Sequence, residues 1–356
     1  EMCIRDRYFV VHECWFCNPT FCLTSRRWPS CSLVLGNIMK FVTVACASVA
    51  LMLSVVPVAA DFAYGLPWGA DGRWAHSMTE KGTVSWYHHW EMGMIEEMPK
   101  HVEYVPTLWG PKKMKHWGNR KAEIEKHKLT HILSFNEPDV PGQANMDVDD
   151  AVNLHMKELE PFVKKGLRIS SPQLVWDFDW LKKFMHKCKA AGCNVHYIAL
   201  HWYGSADDFD KFQSWVTRVY HEFKLPIWIT EFGLTSASNP SEHSVENFIR
   251  TASDWISKQE YIERAAWNGC YAVDNPPDSF ATPLNAFFHG GGALRKTAQI
   301  WLEGKGNRKL EVENSHTTLD FIGKMIESFQ KFQKKEAHKH SHKGMRRMVK
   351  RIAEGN

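Results

Sequence analysis

The chain has 356 residues, 16 of them tryptophan, and a formal net charge of +4. That charge is uneven: from Lys305 onward about thirteen Lys and Arg stand against about six Asp and Glu, so the remainder is slightly acidic. The body is therefore excluded as a nucleic-acid-binding surface and no nucleic-acid partner is expected. Only the tail has the charge for an anionic surface.

The first residues read as something other than folded product. Met2-Cys3-Ile4-Arg5-Asp6-Arg7 resembles the translation of an untrimmed sequencing adapter, and residues 1–38 are read as adapter plus translated leader. Residues 39–60 have the build of a secretory signal peptide: Met39-Lys40, an apolar run from Phe41 to Ala60, and Val58-Ala59-Ala60 before Asp61. About 20 apolar residues can also span a bilayer, but Pro57 and the small-residue ending favour cleavage. A secreted or cell-wall location is the expectation. Beyond that leader only Cys188, Cys193 and Cys270 remain. Cys188 and Cys193 are close enough to bridge a short turn in an oxidising compartment, which leaves Cys270 as a small buried apolar residue. Cys14-x2-Cys17 lacks a second half-site and carries no metal expectation.

In chain order, eight candidate strands follow: residues 62–66, 83–87, 103–107 (interrupted by Pro106), 131–136, 168–171, 196–201, 227–231 and 264–267. Helical recurrence appears over 147–165, 206–223 and 293–302. Strands alternating with helices over residues 61–304 predict an α/β fold, a (β/α)8 TIM barrel, with a doubly wound sheet as the alternative. Past Gly304 the composition turns lysine-rich. Ile322, Met325, Ile326 and Phe329 share one helical face, and Met345, Met348, Val349 and Ile352 share another, so residues 305–356 read as a basic amphipathic helical tail.

Two strand ends carry the chemistry. Asn136-Glu137-Pro138 closes the fourth strand and Thr230-Glu231-Phe232-Gly233 the seventh. Barrels of this kind place their reactive groups at strand C-termini. Two carboxylates facing across a cleft suffice to cleave a glycosidic bond, one as acid and the other as nucleophile or base. Taken singly, Glu137 reads as a turn cap and Glu231 as the partner of a cation. Asn136 can donate to a sugar hydroxyl or simply shape the turn before Pro138. Alternation on the sixth strand puts His201 and Tyr203 on one face, able to hold a carboxylate ionised, with Trp202 packed behind. Trp86, Trp90, Trp109 and Trp267 follow or end strands on one rim and are candidates for stacking on sugar rings.

Other motifs carry less. His316, His338, His340 and His342 form a solvated tract, and no metal is expected. Gly290-Gly291-Gly292 lacks the lysine and spacing of a phosphate loop, and no cofactor is expected.

The motifs Val84-Ser85-Trp86-Tyr87-His88-His89-Trp90, Tyr104-Val105-Pro106-Thr107-Leu108-Trp109-Gly110, Leu133-Ser134-Phe135-Asn136-Glu137-Pro138-Asp139, His201-Trp202-Tyr203-Gly204 and Ile229-Thr230-Glu231-Phe232-Gly233 together resemble glycoside hydrolase family 128 of clan A, in that family's order. The resemblance covers roughly residues 62–304. It implies a barrel that hydrolyses β-1,3-glucan with retention, Glu137 at the acid/base position and Glu231 at the nucleophile position. It also implies a short disulfide, which Cys188 and Cys193 fit. Two features depart from the family: Asn268 stands where an aromatic is expected after Trp267, and the basic tail has no counterpart. A monomer is expected, binding β-glucan in the cleft and an anionic glycan or membrane surface through the tail. A clan relative acting on another β-glucan or mannan, and a non-catalytic glucan-binding wall protein, are the alternatives.

Overall fold

A computed structural model describes residues 62–304. The leader (1–38), the signal-like run (39–60) and the basic tail (305–356) lie outside the described residues. Eight parallel strands make the frame: β1 Ala63–Pro67, β2 Val84–His88, β3 Glu103–Val105, β4 His131–Ile132, β5 Arg168–Ile169, β6 Ile198–Gly204, β7 Ile227–Leu234 and β8 Ile262–Trp267. Six of them form a sheet in the order β3-β2-β1-β8-β7-β6, and β4 pairs with β5. Isolated parallel bridges join these two sheets. Thr107 pairs with Leu133 between β3 and β4, and Ser170 with Tyr197 between β5 and β6. The ring is thereby continuous around all eight strands.

β4 and β5 are shorter than the predicted 131–136 and 168–171, because regular pairing gives way to single bridges such as Asn136 with Gln173. β3 stops at Val105, since Pro106 has no N–H to extend the ladder. Its carbonyl still accepts the Leu133 N–H at 2.9 Å.

Among the described residues eight α-helices accompany the strands: α1 Ala75–Thr79, α2 Met114–His127, α3 Val148–Glu158, α4 Glu160–Val163, α5 Phe178–Ala191, α6 Phe209–Phe223, α7 Glu242–Ile256 and α8 Lys296–Glu303. The single helix expected over 147–165 divides at Leu159, where Pro161 falls in the first turn of α4. A proline inside a continuous helix would remove one backbone bond and press on the preceding turn. Local chemistry sets the other ends. Asp147 and Asp177 cap α3 and α5 through their carboxylates, and Ser241 and Ser244 cap α7 reciprocally. α5 ends at Gly192, whose φ of +81° suits glycine. Cys188 and Cys193 are joined across that turn, their Cα atoms 5.1 Å apart, and Cys270 is free and buried.

Side-chain alternation divides the core. Trp86, Val105, Leu133, Tyr197, Ala199, Trp228 and Ala266 fill the barrel interior. The outward residues pack under the helices, as where Phe212 of α6 meets Trp202 and Phe232 at 5.2 and 5.5 Å. Trp86 fits inside because Gly65 faces it: a Cβ there would come within 2.2 Å of the indole. Burying such a ring contributes roughly 4–6 kcal/mol before entropic costs.

Candidate active site

β6 keeps strict alternation. Ala199, His201 and Tyr203 face inward, while Leu200 and Trp202 belong to the outer core. β7 does not. Leu200 pairs with Ile229, but the next partners are His201 and Glu231, so Thr230 is an extra residue on β7. The β7–β8 pairing also gains a residue between Ile229 and Phe232. Such a bulge reverses the facing of everything beyond it. Trp228 lies inside and Phe232 outside, and Glu231 is turned inward beside His201.

His88 of β2 braces the bulge from across the barrel, its Nε2 lying 2.9 Å from the Thr230 carbonyl. Burial lowers the His88 pKa to about 3, so the ring is neutral and Nε2–H donates.

Glu137 follows β4 in the left-handed region at φ +48°. The other non-glycine residues with positive φ among those described, Lys128, Asn145, Lys224 and Asn239, are all exposed; Glu137 is buried and precedes a proline. That conformation is disfavoured before proline and stores strain of order 1–3 kcal/mol. It is held by the Glu137 N–H donating to the Gln173 carbonyl at 2.9 Å.

The two carboxylates share one imidazole. His201 Nδ1 lies 2.8 Å from Glu137 Oε1, and Nε2 lies 3.4 Å from Glu231 Oε1. An oxygen of each glutamate and a nitrogen of His201 lie within 4.8 Å of one another. Glu231 is the more heavily bonded: Trp90 Nε1–H donates to Oε1 at 2.6 Å and the Tyr203 hydroxyl to Oε2 at 2.8 Å. Asn268 then donates from Nδ2 to the Tyr203 oxygen.

Burial pushes the Glu231 carboxyl upward, His201 charge opposes it, Glu137 adds to it, and the Trp90 and Tyr203 bonds pull it back; the net direction is upward. For His201 burial opposes the cation, but Glu231 and Glu137 outweigh it and the imidazole is held above its ordinary value. Burial, reinforced by both glutamates, raises Tyr203 well above the usual phenol range, so it stays a donor. The three-residue cluster offers ligand-type atoms, yet its carboxylate oxygens already accept N–H and O–H donors, an arrangement suited to organic chemistry rather than ion coordination. His155, Cys188 and Cys193 also cluster, but both sulfurs are spent on each other.

The other expected substrate residues distribute unevenly. Asn136 is buried beside Glu137; its amide N–H donates to Gln143 at 3.3 Å and its Oδ1 is unpartnered. Trp86 does not line the cleft: it is inside the barrel, its N–H donating to Ala63 at 3.1 Å. Trp267 likewise faces outward against Phe232, with its N–H on the Asn285 carbonyl at 3.0 Å. Strand parity corrects both expectations, since Ala266 and Asn268 take the inward positions around Trp267. Trp109 is nearly buried and carries the Lys113 ammonium 4.2 Å from its ring centre. Trp90, singled out before only within a group of tryptophans, is the one bonded to a candidate catalytic group. Asn268 was visible as a departure from the family pattern, with no role attached.

Residues 65–301 match the family model described as glycosyl hydrolase catalytic core. No curated protein sequence matches the chain. Among solved structures, the chain is similar to a subgroup I endo-β-1,3-glucanase of glycoside hydrolase family 128 from Amycolatopsis mediterranei, in complex with laminaripentaose. Identity is 25%, the TM-score 0.58, and the match covers 68% of this chain and 99% of that one. A curdlan-specific exo-β-1,3-glucanase (subgroup III) from Blastomyces gilchristii matches at 24% identity and TM-score 0.56, covering 67% and 97%. A subgroup VII oligosaccharide-binding protein from Trichoderma gamsii matches at 21% and 0.55, covering 68% and 93%. These last two show the shared fold.

Proposed function

The chain belongs to the glycosyl hydrolase catalytic core family and is a glycoside hydrolase of family 128, and from that premise we propose that it is a secreted β-1,3-glucanase acting with retention. The observation that carries the mechanism is the spacing of Glu137 and Glu231, whose nearest oxygens lie within 4.8 Å. Retaining glycosidases hold their carboxyls about 5–5.5 Å apart, whereas inverting ones need roughly 6.5–9.5 Å to admit a water.

The donors supply the roles. Glu231 has a dedicated donor on each oxygen, and such bonds favour the anion. It is the nucleophile: it attacks the anomeric carbon while Glu137 gives its proton to the departing glycosidic oxygen. Glu137, left ionised, then takes a proton from water as that water displaces Glu231 from the glycosyl ester. His201 faces Glu137 with Nδ1 and Glu231 with Nε2, so the same ring can donate an N–H to whichever carboxylate is ionised in each half-reaction.

The laminaripentaose held by the Amycolatopsis enzyme supports β-1,3-glucan as substrate. The signal-like run at 39–60 and the Cys188–Cys193 pair support secretion. The basic tail is proposed to hold the enzyme to an anionic glycan or membrane surface, and the enzyme to work as a monomer. The test is reducing-sugar release from laminarin by wild type and by Glu231→Gln. Release by the first and not the second is expected. Laminarin binding without release by wild type would make this a glucan-binding protein, and release from mannan alone would reassign the substrate.

A further inference from the structure

One side chain of the site has no part in the roles assigned above. Asn268 directly follows β8, where the family pattern has an aromatic, and it is buried at 5% exposure. Its backbone N–H donates to the Phe232 carbonyl at 2.9 Å, which ties it to β7 one residue past Glu231. Its Nδ2 donates to the Tyr203 oxygen, and Tyr203 donates to Glu231 Oε2 at 2.8 Å. A phenyl ring at 268 could donate nothing.

Chemistry fixes the direction of both bonds. An ionised carboxylate only accepts, so the single proton of the Tyr203 hydroxyl lies toward Glu231. The phenol oxygen is left as an acceptor, and Asn268 must present its amide N–H rather than its carbonyl. That N–H occupies the acceptor side of the phenol and keeps the O–H turned to Glu231. A hydroxyl that accepts a bond also donates more strongly, by about 10–30% in such chains. Burial and the two glutamates raise the Tyr203 pKa, and the Asn268 bond opposes them.

Resting on the glucanase reading, we propose that Asn268 is a positioning residue for the nucleophile. It acts through Tyr203, fixing the phenol proton on Glu231 and strengthening the bond that holds Glu231 ionised for attack. The titratable groups nearest Glu231 are Glu137 after β4 and His201 and Tyr203 of β6, with His88 of β2 on the Thr230 carbonyl. Among these, only the Tyr203 bond is weakened when the Asn268 amide is lost, and the Trp90 bond stays.

The test is Asn268→Leu, which keeps the size of the side chain and deletes the amide. Its kcat on laminarin should fall roughly two- to fivefold with KM little changed. The acid limb of kcat/KM should move to higher pH, because a less stabilised Glu231 anion is protonated sooner. In a Tyr203→Phe background the same substitution should change neither rate nor limb, since the group it acts through is gone. A loss that persists in that background, an unmoved acid limb, or no loss in kcat would overturn the proposal. Titration of the Glu231 carboxyl by carbon-13 NMR, assigned with Glu231→Gln, reads the same effect without turnover. A higher Glu231 pKa in Asn268→Leu supports the proposal even if wild type proves to cleave no glucan, and an unmoved one overturns it. Asn268→Ala carries the same expectations should the leucine variant fail to fold.

Discussion

The Trp90 indole N–H sits 2.6 Å from Oε1 of Glu231, a contact across the barrel between residues 141 apart in the chain. Indole can only donate, so this bond holds whenever Glu231 is ionised. Trp90→Phe keeps most of the ring and deletes the donor. A hydrogen bond to a charged group is worth about 1.5–3 kcal/mol, which translates into a roughly 10- to 100-fold fall in kcat. Steady-state kinetics on laminarin, with thermal unfolding as a folding control, checks it. An unchanged kcat would remove Trp90 from the proposed site.

His201 lies between two carboxylates, and its imidazole should titrate above the ordinary 6.5. Glu231→Gln removes its largest favourable charge, so the His201 pKa should fall in that variant. A raised folded value gives stability that is fully present below the unfolded pKa and is lost as pH rises through the folded one. The stability gap between wild type and His201→Gln should therefore be widest below pH of about 6.5 and narrow above it. Imidazole NMR titration measures the first claim and urea unfolding the second. Titration below 6.5, or no response to Glu231→Gln, would contradict this electrostatic account.

How far the sequence carried these conclusions depends on the kind of information each needs. Strand positions and the inward facing of His201 and Tyr203 follow from apolar runs and simple alternation, which short-range sequence contains. The facing of Glu231 does not. Counted from Trp228, alternation alone turns Glu231 toward the helices, and only the bulge at Thr230 brings it inside. The bond that braces it comes from His88, far away in sequence, to the Thr230 carbonyl. Trp86 and Trp267 stay out of the cleft for a related reason: composition announces a surplus of tryptophan, but which rings reach the cleft is set by parity at each strand end. The Trp90 bond and the Asn268–Tyr203–Glu231 relay are tertiary contacts with no local signature.

At the N-terminal end of the barrel a second charged group is built for stability. Glu103 of β3 pairs with His131 Nδ1 at 2.7 Å and with Arg264 at 2.7 Å, and Arg264 lies 4.0 Å from the centre of the Trp228 ring. Burial opposes the Glu103 charge, but the His131 bond and Arg264 outweigh it and lower the pKa to about 2. A depressed carboxyl stabilises above its unfolded value and loses that contribution as pH falls through the folded one. Glu103→Gln should cost roughly 3 kcal/mol at pH 7, and the gap should close from about pH 4.5 toward pH 2. Urea midpoints for both proteins across that range measure it. A gap independent of pH would mean the network contributes packing rather than charge.

The central claim, that Glu231 forms the glycosyl ester while Glu137 moves the proton, is tested most directly by azide rescue with the product's anomeric configuration read by NMR. Glu231→Ala should be inactive on an activated aryl β-laminaribioside, and azide should restore turnover to an α-glycosyl azide, because the small anion attacks from the space of the deleted carboxylate. Glu137→Ala should instead give the β-glycosyl azide, formed on the ester that Glu231 still makes. An α-azide from Glu137→Ala together with a β-azide from Glu231→Ala would contradict the account and exchange the two roles.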